Sequence, residues 1–241
     1  MRLLPASLRP WLGAVAGLAA LVVLVLGVRY AGDGGPGRVD RWAVPPTADS
    51  VRGVWRGIAL TVDFLGEPVG AVGVVGVLVA GCLWRRRWRW VRGAVFVVVA
   101  PVVTVGVTTV LKHVVGRTIH GDGNLSCPSG HTGFAATVAV AVGLLAVGRL
   151  GLGRAAGTLL VLAASLVAGA VMGWAEVALG AHYATDTVAG WCTALALTPV
   201  TAWLIDASAD RLGSSPPPPL PFPSSQGAPP LGPRESSGGW G

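Results

Sequence analysis

Residues 68–111 read PVGAVGVVGVLVAGCLWRRRWRWVRGAVFVVVAPVVTVGVTTVL. Two apolar runs flank a knot of arginines, Arg85, Arg86, Arg87, Arg89 and Arg92. Each run approaches the roughly 20 residues that a helix needs to cross a bilayer. Basic residues held in a short link between two such runs mark the cytoplasmic side of a membrane. Outward from this stretch, further apolar runs occupy residues 11–28, 132–148, 155–173 and 185–205. The expected fold is therefore all-α, an integral membrane bundle of six helices.

Composition agrees. Of the 241 residues, 52% are hydrophobic and only 12% charged, against about a quarter charged in a soluble domain. Too few charges remain to cover a water-facing surface. The net charge of +7 comes almost wholly from arginines placed between the apolar runs, so it is read as topology signal, and no nucleic-acid partner is expected. The abundance of Gly, Ala, Val, Pro and Arg resembles a GC-rich bacterial coding bias. Cys82, Cys127 and Cys192 show no metal-type spacing. Cys127 is the one expected to meet water as a free thiol.

No small-x-small cleavage pattern follows residue 28, so the first run reads as an uncleaved anchor. Arg2, Arg9, Arg149 and Arg154 fall on the same side as the arginine knot if there are six spans. That gives a multi-pass plasma-membrane protein with both termini cytoplasmic, and with residues 112–131 and the turn before Asp186 outside. In the first external loop, Val51, Val54, Trp55, Ile58, Val62 and Leu65 recur at helical spacing. They suggest an amphipathic helix at the membrane surface, or an ordinary packing helix. The expected organisation is an anchor helix (1–28), an external loop with the interfacial helix (29–67), a five-helix core (68–205), and a Pro/Ser/Gly-rich disordered cytoplasmic tail (206–241).

The rare polar residues carry the functional signal. All four histidines (His113, His120, His131, His182) and the sole lysine, Lys112, lie in the external turns or at the helix ends beside them. Ionisable residues near membrane depth are costly and mark function. Ser129 and Gly130 precede a helix start, where free N–H groups favour an anion. Lys112 and Arg117 supply counter-charge for phosphate. His182 and Asp186 are four apart on one helical face, so the carboxylate can orient the imidazole. His131 nearby can serve as an acid. No carboxylate or His/Cys spacing suggests a metal, and no cofactor is expected.

Pro128-Ser129-Gly130-His131, with His182-x-x-x-Asp186 downstream and Lys112 to Arg117 upstream, resembles the type 2 phosphatidic acid phosphatase superfamily, which also includes lipid phosphate phosphatases and vanadium haloperoxidases. The resemblance spans roughly residues 65–205. It implies metal-independent attack by His182 on phosphorus to give a phosphohistidine, with Asp186 orienting His182 and His131 protonating the leaving oxygen. Lys112, Arg117, Ser129 and Gly130 would hold the phosphate. Two positions differ from the family pattern. Ile119-His120 stands where arginine-proline is usual, and Ala175-Glu176 where serine-arginine is usual. Arg52 or Arg56 could supply the missing charge, and Glu176 could pair with an arginine. The substrate implied is a lipid phosphate or polyprenyl diphosphate in the membrane. A lipid phosphotransferase and a non-catalytic relative acting as a membrane scaffold are the alternatives. Nothing in the sequence sets the oligomeric state.

Overall fold

The computed structural model describes residues 2–43, 51–84, 89–121 and 123–213. Arg85 to Arg87 and the Pro-rich tail from residue 214 lie outside them. Eight helices are described: α1 (Arg9–Arg29), α2 (Arg38–Ala43), α3 (Gly53–Gly66), α4 (Pro68–Leu83), α5 (Arg89–Val115), α6 (Gly130–Leu150), α7 (Arg154–Ala178) and α8 (Ala184–Gly213). The described residues contain no strand, only an isolated bridge between Thr118 and Leu125.

Helices α1, α5, α6, α7 and α8 are each long and apolar enough to cross a membrane. Helices α3 and α4 pass that test as a pair, bent by 67° where they meet. At 16 residues, α4 alone is about 24 Å long, short of a typical ~30 Å hydrocarbon core. The break follows from Glu67, whose extended backbone ends α3, and from Pro68, which opens α4 without needing an N–H partner. Gly70 lets the bend close, because a Cβ there would collide with the Phe64 carbonyl. Helix α3 is amphipathic, as its apolar spacing suggested. It packs on α7, α4 and α6, and Trp55 meets Trp174 of α7 edge-on at 6.3 Å.

Helix α6 lies at the centre, in contact with α5, α7 and α8, and α1 packs along α8. Leu8 and Leu12, Phe96 and Val97, Leu144 and Val161 share one buried cluster. Leu18, Leu21, Leu24 and Val25 of α1 are exposed, as suits a lipid-facing surface. The last helix was expected to end near residue 205 but continues to Gly213. Its polar end is used as an anchor. Buried Asp206 accepts hydrogen bonds from the backbone N–H groups of Leu3 and Leu4 at 2.9 and 3.0 Å. Asp210 pairs with Arg2 at 3.2 Å and Arg92 at 3.6 Å.

This knot holds the chain's beginning, the start of α5 and the end of α8 at one end of the bundle. The ends of α1, α5 and α7 and the starts of α6 and α8 gather at the other.

Candidate active site

The second end of the bundle is organised by Arg117. It follows α5, and Gly116 supplies the turn with φ 64°, a conformation easy only for glycine. The Arg117 side chain is fully buried. Its guanidinium lies between the rings of Tyr30 and Tyr183, at 4.0 and 4.3 Å from their centroids. One terminal nitrogen donates to Asp186 at 2.6 Å and Thr185 at 2.7 Å, the other to Asp40 at 2.7 Å and the Gly35 carbonyl at 3.2 Å. Asp40 also accepts from the backbone N–H and hydroxyl of Thr185. Burial by itself would raise the Asp40 pKa; the bonds from Arg117, Thr185 and Gly37 outweigh it and hold the carboxyl below its ordinary range. Burial likewise works against the charge on Arg117, but Asp186 and Asp40 keep it firmly protonated.

Above this base stand the histidines. Ser129 caps α6, its Oγ accepting from the Thr132 N–H at 3.2 Å, and its own N–H donates to the Asp186 carbonyl at 2.9 Å. The starts of α6 and α8 are thereby locked together, and Gly190 permits the approach, since a Cβ there would strike the Ser129 carbonyl. His131 and His182 both face Glu176 at the end of α7. His182 Nε2 lies 3.0 Å from Glu176 Oε2, and His131 Nδ1 lies 3.3 Å from Oε1. Ser129 Oγ donates to Oε2 at 3.1 Å. His182 Nδ1 is 3.9 Å from Asp186 Oδ2, an ion-pair distance too long for a hydrogen bond. His131 Nε2 is 3.8 Å from Glu67.

The site is graded in depth. The Glu67 side chain is 52% exposed, that of His131 27%, that of His182 7% and that of Glu176 1%. His131 thus stands at the mouth and His182 beneath it. Burial opposes a charge on His182, but the two carboxylates beside its ring, Asp186 and Glu176, prevail and raise its pKa above the ordinary histidine value.

Residues 93–210 match the PAP2 superfamily. The chain is a member of that superfamily. A solved structure described as the first transmembrane PAP2 type phosphatidylglycerolphosphate phosphatase from Bacillus subtilis is similar to this PAP2 protein, with 20% identity and a TM-score of 0.57. The alignment covers 82% of this chain and 96% of that one, and at that identity the likeness is one of fold. No curated protein matches the chain in sequence.

Most of the expected site residues come together in this PAP2 protein. His131, His182, Asp186 and Ser129 adjoin, Gly130 opens α6, and Lys112 is close enough to Glu176 and Asp186 for their charges to act on it. Arg117 differs from expectation. Both its terminal nitrogens are taken by Asp40, Asp186, Thr185 and Gly35, so it braces Asp186 rather than presenting a fork to phosphate. Glu176, for which an arginine was one possible partner, faces the two histidines and Ser129 instead. Cys127, expected to meet water, is buried, and burial followed by the nearby Asp186 pushes its thiol up to about 12. His120 joins the two turns at this end of the bundle through Nε2 and the Gly180 carbonyl, 2.7 Å apart.

Two residues escaped the sequence reading. Asp40 lies in the short helix α2, in a stretch of sequence with no apolar period. Asp63 is the only acidic residue of α3, a signal that the helical spacing around it could have exposed.

Proposed function

We propose that this PAP2 protein hydrolyses a lipid phosphate at the extracytoplasmic face through a phosphohistidine on His182. The observation that carries this reading is the pairing of the more exposed His131 with the buried His182 across Glu176, with Asp186 fixed beside His182 by Arg117. The lone pair of a His182 ring nitrogen attacks phosphorus, and the bond to the lipid oxygen breaks. His131 gives its proton to that oxygen, and the lipid alcohol leaves. Water then gives a proton back to His131 and attacks the phosphohistidine, the phosphorus–nitrogen bond breaks, and phosphate leaves with both histidines restored. Lys112, Ser129 and the N-terminus of α6 at Gly130 hold the phosphate oxygens. Asp186 holds the tautomer, once the 3.9 Å gap closes by a small turn of the ring.

A lateral apolar groove of about 520 Å³ between α7 and α8, lined by Gly173, Trp174, Val177, Ala184, Thr187 and Trp191, suits an acyl or prenyl chain beside the site. The similar Bacillus subtilis protein suggests phosphatidylglycerophosphate as the first substrate to test.

One observation favours the non-catalytic alternative: Glu176 occupies Nε2 of the proposed nucleophile. Phosphate release by the purified protein from phosphatidylglycerophosphate, phosphatidate and polyprenyl diphosphate decides between them. Release from at least one, lost in His182→Ala, is expected. A folded protein inert towards all three supports the scaffold reading.

A further inference from the structure

Three helices bring one more group of side chains together. Asp63 near the end of α3, His131 at the start of α6 and Glu176 at the end of α7 each offer a ligand atom, all within 4.8 Å of one another. An independent observation comes from Glu176 itself. The residue is fully buried. Its Oε2 is engaged by Ser129 and His182, but its Oε1 has no hydrogen bond. The His131 ring nitrogen stands 3.3 Å away without making one; a buried carboxylate oxygen left so is costly, and a cation between the two relieves it.

We propose that Asp63, His131 and Glu176 form a binding site for one divalent transition-metal ion, with Zn²⁺ the best fit. Ligands about 2.0–2.1 Å from a tetrahedral zinc stand roughly 3.3–3.4 Å apart. Glu176 Oε1 and His131 Nδ1 are already 3.3 Å apart, so that edge is preformed. Two carboxylates and one imidazole suit zinc better than magnesium or calcium, which favour all-oxygen shells. His131 would bind through Nδ1, leaving its Nε2–H directed at Glu67 Oε1, 3.8 Å away. A carboxylate behind a ligating imidazole is a common support for such sites.

The ligands come from positions 63, 131 and 176 on separate helices, which is why no short sequence spacing revealed them. Three protein ligands leave a fourth position for water or a phosphate oxygen. The phosphate role rests on the phosphatase reading; the cation site does not.

The test is a Zn²⁺ titration of untagged protein in detergent micelles, without substrate. One Zn²⁺ per chain is expected, with binding weakened at least tenfold by Asp63→Asn and by Glu176→Gln. X-ray absorption on the wild-type complex keeps the test decisive if a variant folds poorly. It should show nitrogen and oxygen ligands at about 2.0–2.1 Å, including imidazole. Absence of one-to-one binding, thiolate ligation at about 2.3 Å, or full affinity in a folded Asp63→Asn variant each overturns the site. Because no turnover is read, failure here leaves the phosphohistidine proposal standing, and loss of activity would leave the Zn²⁺ result intact.

Discussion

The Oε2 atom of Glu176 lies 3.0 Å from Nε2 of His182, the ring nitrogen turned away from Asp186. A nitrogen that donates there carries a proton and has no lone pair for phosphorus. Glu176 therefore favours the resting, protonated form of His182 and must yield it before attack. With Asp186 and Glu176 raising the His182 pKa above 6.5, kcat/KM should fall as pH drops through a value above 6.5. Glu176→Gln removes one of those stabilising charges, so its acidic limb should move to lower pH. The sign for stability is opposite. The protonated pairing contributes fully below pH 6.5 and is lost as pH rises through the raised pKa. An acidic limb unmoved in Glu176→Gln would show that Glu176 does not control His182.

Arg117 should matter for folding more than for phosphate contact. Removing one member of a buried ion pair typically costs about 3–5 kcal/mol, so Arg117→Ala should lower thermal stability strongly. Arg117→Lys should rescue little, because an ammonium cannot stack between Tyr30 and Tyr183 while forking to two carboxylates. The depressed Asp40 pKa adds a pH signature: its contribution is present above about pH 3.8 and lost as pH falls through the lower folded value. Thermal melts of the wild type and both variants check this. An Arg117→Lys variant as stable as wild type would assign the residue elsewhere.

Gly66 sets the position of His131. A Cβ at Gly66 would run into the imidazole of His131, so Gly66→Ala should displace the proposed acid. General acid catalysis contributes about 100- to 10,000-fold, and a partial displacement should cost at least about tenfold on a lipid substrate. A nitrophenyl phosphate, whose leaving group needs no proton, should be less affected. Equal losses on both substrates would place the defect outside proton transfer.

Topology is testable by fusion. With Asp206 and Asp210 tying the N-terminal segment to the end of α8 at the end of the bundle opposite the histidines, reporters after Leu150 and Gly213 should read cytoplasmic, and one after Gly121 extracytoplasmic. A cytoplasmic signal at Gly121 would invert the proposed site.

The helices were legible because apolar runs of membrane length leave little choice of structure. His131 and His182 were legible because the four histidines and the sole lysine all fall in the turns at one end of the bundle or at the helix ends beside them, and Asp186 because it stands four residues after His182. The length of α8 was not, since residues 206–213 look like a polar tail until Asp206 and Asp210 meet the N-terminal segment across the sequence. The role of Arg117 depended on Asp40, whose burial arises only from tertiary packing. The charge on Glu176 was visible, but its two histidine partners required the end of α7 to be placed against the start of α6.

The phosphohistidine is the most direct test. Protein quenched during turnover of a ³²P-labelled lipid phosphate should carry acid-labile, alkali-stable label that maps to the peptide containing His182. It should be absent in His182→Ala and accumulate in His131→Ala with a nitrophenyl substrate. Phosphate release at full rate from a His182→Ala protein, or label mapping to another residue, would contradict the assignment of His182 as nucleophile.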